Sequence, residues 1–219
     1  MPGFIINIGC GKLTFPTEVR QKLVINQIDG NSFQLERRVV NKFMNDRLFA
    51  EIEQYVVVVD GIVLNNHELI EHYHAKSWLD CVISMYEKEG EAFFNAFRGS
   101  FSGALYDKKE DKWIVYTCHT GEKQVFFKQL DNGFLLASEM RFMVETLKTN
   151  SIRPEIDETG CYFSLTHGFC IEDRTLVKGI HKLIAGHYVR IQNGKLEVVQ
   201  YHRFSNKPVK MTQEEAVEG

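Results

Sequence analysis

Five side chains that could bind a metal ion lie close together in the sequence: His67, Glu68, Glu71, His72 and His74. Helical zinc motifs read H-E-x-x-H or H-x-x-E-H, but here the first two histidines are five residues apart. We interpret the group as the solvated polar face of a helix, and a metal-ligand set is the alternative.

Cys118 and His119 could form a nucleophile–base pair only if their side chains converged. Neighbours on a strand point to opposite faces, so the pattern favours a cysteine packed in the core. Cys161 and Cys170 flank a predicted helix end and receive the same interpretation. The run Gly9-x-Gly11-Lys12 lacks the remaining glycine, the Ser/Thr and the helix of a phosphate-binding loop, so it predicts none.

Pro2 is a further chemical candidate, since removal of Met1 would leave a secondary amine able to act as base or nucleophile. No other residue supports such an enzyme, and it stays an alternative.

The elements that must position these residues follow from apolar periodicity and turn signals. The β-branched run Tyr55 to Val59 predicts a strand buried on both faces. Ser77-x-x-Asp80 opens a helix that Gly90 ends. Further strands are predicted over 4–8, 100–106, 112–118, 123–129, 133–137, 186–191 and 195–201, and further helices over 66–73, 91–97, 138–147 and 157–166. Antiparallel hairpins grouped between helices predict an α+β fold with two sheets and helical outer layers.

Composition excludes several classes of partner. The net charge of -3 provides no basic surface for nucleic acid, and no apolar stretch is long enough to cross a membrane. The five cysteines are widely spaced and odd in number, which favours reduced thiols over disulfides or structural zinc. We therefore expect a cytoplasmic protein.

The last residues carry a separate signal. Thr212-x-x-Glu215 is a capping box, so a helix is predicted to begin there. We interpret residues 1–205 as one domain, and 206–219 as a linker and the start of a second domain.

Several segments together resemble the glutaminase domain of the asparagine synthetase family. That domain has a helix followed by a strand reading G-x-F-A-F-A-L-Y-D, and the similar segment here is Phe94-x-x-Phe97-x-Gly99-x-Phe101-x-Gly103-Ala104-Leu105-Tyr106-Asp107. Other similar segments follow in the family's order: Gly121-x-Lys123 with Phe126-Phe127, Leu136-Ala137-Ser138-Glu139, Leu165-Thr166-His167-Gly168, Arg174-Thr175-Leu176, Gly179-Ile180 and Gly186-His187.

The resemblance implies a four-layer αββα sandwich of the N-terminal-nucleophile hydrolase type. In the family this domain hydrolyses glutamine and passes ammonia to a C-terminal ATP-pyrophosphatase domain. The resemblance thus implies a synthetase domain of the same chain as partner. It implies no cofactor for this domain, because ATP and magnesium belong to the synthetase domain. The oligomeric state stays open, a homodimer included.

The family's nucleophile is a cysteine at position 2, where this sequence has Pro2. The family's oxyanion and glutamine-binding turn, N-G-E, corresponds to Asp60-Gly61-Ile62. An asparagine side chain donates a hydrogen bond to the developing oxyanion, whereas an ionised Asp60 would repel it. Ile62 replaces the glutamate that holds the substrate's ammonium group.

Two further positions of the substrate pocket differ or stay ambiguous. The family's aspartate that contacts the α-amino group aligns with Trp78, and its pocket arginine aligns with Arg37 or Arg38. We therefore expect no intact catalytic set and no glutaminase activity. The favoured function is a scaffold for an amide-forming synthetase domain. The alternatives are a small-molecule or peptide-binding module that uses Asp60 and Trp78, or a cavity that Trp78 simply fills.

Overall fold

The computed structural model describes residues 3–16, 23–40 and 48–205. A first sheet contains strands β1 Gly3–Ile8, β2 Leu23–Asp29, β3 Phe33–Val40, β8 Phe126–Leu130, β9 Gly133–Ala137 and β10 His181–Lys182. Their order across the sheet is β10-β8-β9-β1-β3-β2, with neighbouring strands antiparallel.

A second antiparallel sheet contains β4 Leu48–Glu51, β5 Tyr55–Val63, β6 Gly99–Asp107, β7 Lys112–Thr117, β11 His187–Gln192 and β12 Lys195–Gln200. Its order is β12-β11-β7-β6-β5-β4. The helices are α1 Asn66–His72, α2 Trp78–Glu89, a 3-10 helix Gly90–Ala96, α3 Met140–Thr149 and α4 Glu158–His167.

Three apolar cores separate four layers. Alternate residues of a strand point to opposite faces, so Val56 and Val58 of β5 pack between the two sheets with Phe4 of β1. Val57 and Val59 pack on the other face of the second sheet, against α2 and the 3-10 helix. Helix α3 covers the outer face of the first sheet through a third core. The layers therefore run αββα, which confirms the predicted α+β sandwich.

Element boundaries differ from the sequence prediction in several places. Strand β5 extends to Val63. Strand β8 begins at Phe126, three residues later than predicted. Strands β2, β3 and β4 have no counterpart in the prediction. Helix α3 is capped at the position of Glu139, because the hydroxyl of Ser138 is instead hydrogen-bonded to the backbone of β1.

Candidate functional site

A row of buried polar side chains crosses the second sheet on the face that meets the first sheet. Asp60 of β5 lies opposite Ser102 of β6, which lies opposite Thr117 of β7. Directly opposed residues of antiparallel strands share a face, and two positions earlier along β5 the same face carries Val58 of the core between the sheets. All three polar residues are at most 2% exposed. The row therefore ends the apolar core with hydroxyl and carboxyl groups.

Lys123 reaches this row from the connection between β7 and β8. Its Nζ lies 3.9 Å from Oδ2 of Asp60, an ion pair too long to be a hydrogen bond. The hydroxyl of Thr117 donates to the carbonyl oxygen of Lys123 and fixes the backbone from which the side chain extends. Because a buried carboxylate is costly unless compensated, the ammonium group helps to hold a charge inside the sandwich.

The start of β1 meets the same end of the sandwich. The amide of Phe4 donates to Oγ of Ser138 at 2.8 Å, and the amide of Ser138 donates to the carbonyl oxygen of Phe4 at 3.0 Å. A Cβ atom on Gly3 would lie 2.3 Å from Oγ of Ser138, so this contact requires glycine. Pro2 itself lies outside the described residues.

Glu139 follows Ser138 and joins the charged group beside Asp60. Burial raises the pKa of Glu139, the ammonium group of Lys123 opposes that shift, and the carboxylate of Asp60 reinforces it. The three side chains therefore interact electrostatically with one another. Two acids and one base converge where the first strand begins.

Gly61 adopts a backbone conformation that few other residues can take. Its φ is +105°, and a Cβ atom there would lie 2.2 Å from the carbonyl oxygen of Ser100. The next residue, Ile62, is 54% exposed. The Asp60-Gly61-Ile62 segment thus places one side chain inside the sandwich and one in solvent.

Strand pairing separates the two candidate arginines. Arg37 lies opposite Phe4 and faces the core between the sheets, with its guanidinium 4.9 Å from the ring centroid of Phe49. Arg38 lies opposite Gly3 and faces the outer layer, where its guanidinium is 4.8 Å from the ring of Phe142. Of the two, only Arg37 shares the interior between the sheets with Asp60.

Arg38 is fully engaged in its own surroundings. Its Nε donates to Glu36 at 2.5 Å, and its Nη2 donates to the carbonyl oxygen of Pro16 at 2.5 Å. The hydrogen bond to Pro16 ties β3 to the segment that follows β1. Its contacts are those of a structural residue.

Trp78 lies on the other side of the second sheet from Asp60. It is the first residue of α2, where Oγ of Ser77 accepts from the amide of Asp80. Its ring packs 5.2 Å from that of Phe97, against the core under the helices. Its buried indole N–H has no hydrogen-bond partner among the described residues. No described contact joins Trp78 to the polar row.

With this geometry in place, comparison with known proteins identifies the family. A family model described as a glutamine amidotransferase domain matches residues 41–202, which is well over half of the chain. The chain belongs to this family.

Several curated relatives are asparagine synthetases. Asparagine synthetase B [glutamine-hydrolyzing] of Escherichia coli is 27% identical over 109 residues, which is 47% of this chain and 20% of that protein. Asparagine synthetase [glutamine-hydrolyzing] 2 of Bacillus subtilis is 31% identical over 91 residues, 39% of this chain and 12% of that protein. The chain thus matches about a fifth or less of the length of these relatives.

A solved structure supports the fold. The structure described as that of the allosteric regulatory enzyme of purine biosynthesis superimposes with a TM-score of 0.50 at 10% identity. The match covers 94% of this chain and 44% of that chain. At this identity the likeness concerns the arrangement of the sandwich alone.

The amidotransferase domain contains polar residues that sequence reasoning did not assign to the site. Lys123 and Glu139 stood in the motifs that carried the family resemblance, but no role was attached to them. Ser102 and Thr117 could have been found from alternation, because each lies two residues from an apolar residue of the core between the sheets. Oγ of Ser102 is buried with no partner among the described residues.

Cys118 and His119 have different surroundings, as the strand pattern predicts. Burial acts to raise the pKa of Cys118, but hydrogen bonds from the amide of Lys123 and the hydroxyl of Thr120 outweigh it and lower the pKa. Cys118 packs in the core under the helices. Nε2 of His119 lies 3.1 Å from Asn95, and its ring contacts that of His202.

A hydrogen bond holds the residue that follows β12 beside the polar row of the amidotransferase domain. The hydroxyl of Tyr201 donates to the carbonyl oxygen of Thr117 at 2.8 Å. The chain therefore leaves the second sheet next to Thr117.

The histidines and glutamates in and just after α1, whose alternative interpretation was a metal-ligand set, point into solvent. His67, Glu68, Glu71, His72 and His74 are all exposed, as expected for a solvated helix face. Within residues 3–16, 23–40 and 48–205, no three His, Cys, Asp or Glu side chains gather as a metal site would require. Nor does any helix in those ranges have the length and apolar character needed to cross a membrane.

Proposed function

We propose that this amidotransferase domain lacks glutaminase activity and supports an ATP-dependent amide-forming domain downstream in the same polypeptide. The nitrogen donor is then free ammonia or another amine. We also propose a cytoplasmic location, because all five cysteines are free thiols and such thiols persist in a reducing compartment.

The observation that carries this proposal is the ion pair between the buried Asp60 and the partly exposed Lys123. Amide hydrolysis through a tetrahedral intermediate needs hydrogen-bond donors where the oxyanion forms, and loss of one donor costs about 3 kcal/mol. Asp60 aligns with the family's donor asparagine, and its carboxylate can only accept. Lys123 Nζ, already directed at Oδ2 of Asp60, neutralises part of that charge.

Three further positions support the loss of glutamine chemistry. Pro2 aligns with the cysteine nucleophile and carries no thiol. Ile62 is an exposed apolar residue where the family's glutamate binds an ammonium group. Trp78 packs on Phe97 where the family has an aspartate that contacts substrate. Loss at several separate positions points to a site that no longer binds glutamine.

A downstream domain is supported by the lengths of the relatives. The match covers 20% of the Escherichia coli protein and 12% of the Bacillus subtilis protein. Domains of this size commonly occur within longer chains, and the relatives' names combine asparagine synthesis with glutamine hydrolysis.

The test uses the full polypeptide that contains this domain. Pyrophosphate release from ATP is measured with a panel of carboxylates, aspartate included, with either ammonium chloride or glutamine as the nitrogen donor. We expect pyrophosphate release with ammonium and none above background with glutamine. Glutamine-dependent turnover with release of glutamate would overturn the proposal.

A second candidate function is a small-molecule or peptide-binding module. The observation in its favour is Ser102, whose buried hydroxyl has no partner among the described residues and lies beside Asp60. A ligand that forms a hydrogen bond with Oγ of Ser102 would give this hydroxyl a partner. A thermal-shift screen with amino acids and short peptides tests this, with Ser102→Ala as the matched variant. Stabilisation of the wild type that this variant lacks favours a binding module.

A further inference from the structure

Among the helices that the structure describes, α4 has the fewest buried residues. Among its ten residues, Gly160 is the only one that is fully buried. The sequence of α4, Glu158–His167, includes threonines, a glycine and aromatic residues, which are poor helix formers. A helix of this length is not stable in water by its own propensity and depends on packing.

The outward surface of α4 carries exposed apolar side chains. Tyr162 is 63% exposed, Leu165 87% and Phe169, just beyond the helix, 63%. These residues are three and four positions apart, so the two helical ones lie on one side of the helix. Ile156 and Leu176 are also exposed and flank the helix. We call these five residues the α4 patch.

The opposite side of α4 is fastened to the domain. A Cβ atom on Gly160 would lie 2.1 Å from the carbonyl oxygen of Thr175, so helix and backbone are in close contact there. Asp157 caps the helix by accepting from the amide of Gly160 at 2.6 Å, and its own amide donates to Leu176 at 3.0 Å. These contacts fix the orientation of α4 on the domain. Because they lie on the side of the helix opposite the α4 patch, the patch faces solvent.

We propose that the α4 patch is the surface on which the downstream amide-forming domain docks. The inference rests on the proposed function, and it adds where the two domains touch. Exposed apolar residues grouped on and around one helix mark an interaction surface. We assign the occupant to the same polypeptide, because the matched segments cover only 20% and 12% of the length of two asparagine synthetases.

The size of the patch fits a tethered partner. Interfaces between domains of one chain are smaller than those of stable dimers, because linkage provides an effective concentration in the millimolar range. Two separate copies of the chain would have to offset the loss of translational and rotational freedom with five apolar residues from each copy. A domain of the same chain has already lost most of that freedom through its covalent linkage.

The experiment compares variants of the full polypeptide by hydrogen exchange and thermal unfolding. Leu165→Asp places a charge in the α4 patch, and Leu64→Asp is the matched control, since Leu64 is also highly exposed but follows β5. We expect backbone amides of α4 to exchange on the order of tenfold faster in L165D than in the wild type. We also expect L165D to split one unfolding transition into two, and L64D to change neither measurement.

Three results would overturn the proposal. One is equal exchange of α4 in L165D and the wild type. Another is a wild-type dimer that L165D converts to a monomer, which would make a second copy the occupant. The third is a full polypeptide without a further domain. Protection of α4 together with no ATP-dependent pyrophosphate release would contradict the proposed function and leave the docking surface standing.

Discussion

Nζ of Lys123 lies 3.9 Å from Oδ2 of the buried Asp60, so a half-exposed cation neutralises an acid in the interior of the sandwich. If this pairing stabilises the fold, substitutions of the two side chains should have non-additive effects on the free energy of unfolding. We expect Lys123→Met to lower the free energy of unfolding by about 1 kcal/mol, since the ammonium group is partly screened by solvent. In an Asp60→Asn background the same substitution should cost close to nothing. Urea denaturation of the four proteins measures the coupling, and strictly additive effects would contradict it.

Gly61 should not tolerate a side chain. Its φ of +105° and the 2.2 Å approach of Ser100 predict that Gly61→Ala destabilises the domain by more than about 2 kcal/mol. The control is Gly194→Ala, whose φ is also positive but whose Cβ would meet open space. That control should cost about 1 kcal/mol. Equal midpoints of thermal unfolding for the two variants would show that the contact with Ser100 is relieved by a small shift.

The buried Ser102 and the partly buried Ser138 should respond differently to removal of the hydroxyl. Ser138→Ala loses the acceptor for the amide of Phe4 and should cost about 1 kcal/mol or more, because it leaves a backbone donor unsatisfied. Ser102→Ala removes a hydroxyl that has no described partner and should be neutral or slightly stabilising. Chemical denaturation of both variants separates the two cases. A large loss in Ser102→Ala would indicate a hydrogen bond to ordered water.

The raised pKa of Glu139 predicts a pH-dependent effect on stability. Because its pKa in the folded protein lies above the ordinary value of 4.5, the folded state binds this proton more tightly than the unfolded state. The associated stability is present in full below that ordinary value and is lost as the pH rises through the raised pKa. Glu139→Gln should therefore be more stable than the wild type at about pH 7. The difference should shrink toward about pH 4, and a difference that stays constant between these pH values would refute it.

Restoring the nucleophile alone should not restore glutamine hydrolysis. We expect Pro2→Cys to release glutamate from glutamine only at the background rate, because Asp60 still occupies the position of the oxyanion donor. The double variant with Asp60→Asn should exceed that rate by about a hundredfold or more. Glutamate release measured for both variants tests this, and equal activity would show that Asp60 does not oppose the chemistry.

The sequence predicted the parts of the fold whose local pattern matches their final environment. Tyr55 to Val59 is β-branched and apolar, and it is a strand buried on both faces. Strand β3 was not predicted, because Glu36, Arg37 and Arg38 interrupt its apolar pattern. Those charges are accommodated by partners far away in sequence, such as Pro16 for Arg38 and Phe49 for Arg37. Local patterns do not contain such partners.

In the candidate site, too, some residues could be predicted from the local sequence and others depend on distant parts of the chain. Asp60 and Gly61 were found from a motif that is continuous in sequence. Lys123 and Glu139 join them only because the β7–β8 connection reaches Asp60 and the end of β9 lies beside β1. The choice between Arg37 and Arg38 likewise depends on the pairing of β3 with β1. A shift of one residue in that register would exchange their faces.

The two hydroxyl groups at Tyr201 and Thr117 also have a mechanical meaning. Tyr201 holds the carbonyl oxygen of Thr117, and the hydroxyl of Thr117 holds that of Lys123. A force that pulls on the chain beyond β12 is therefore transmitted through two bonds to the backbone that carries the ammonium group paired with Asp60. Such a force would change the distance between this ammonium group and the carboxylate of Asp60.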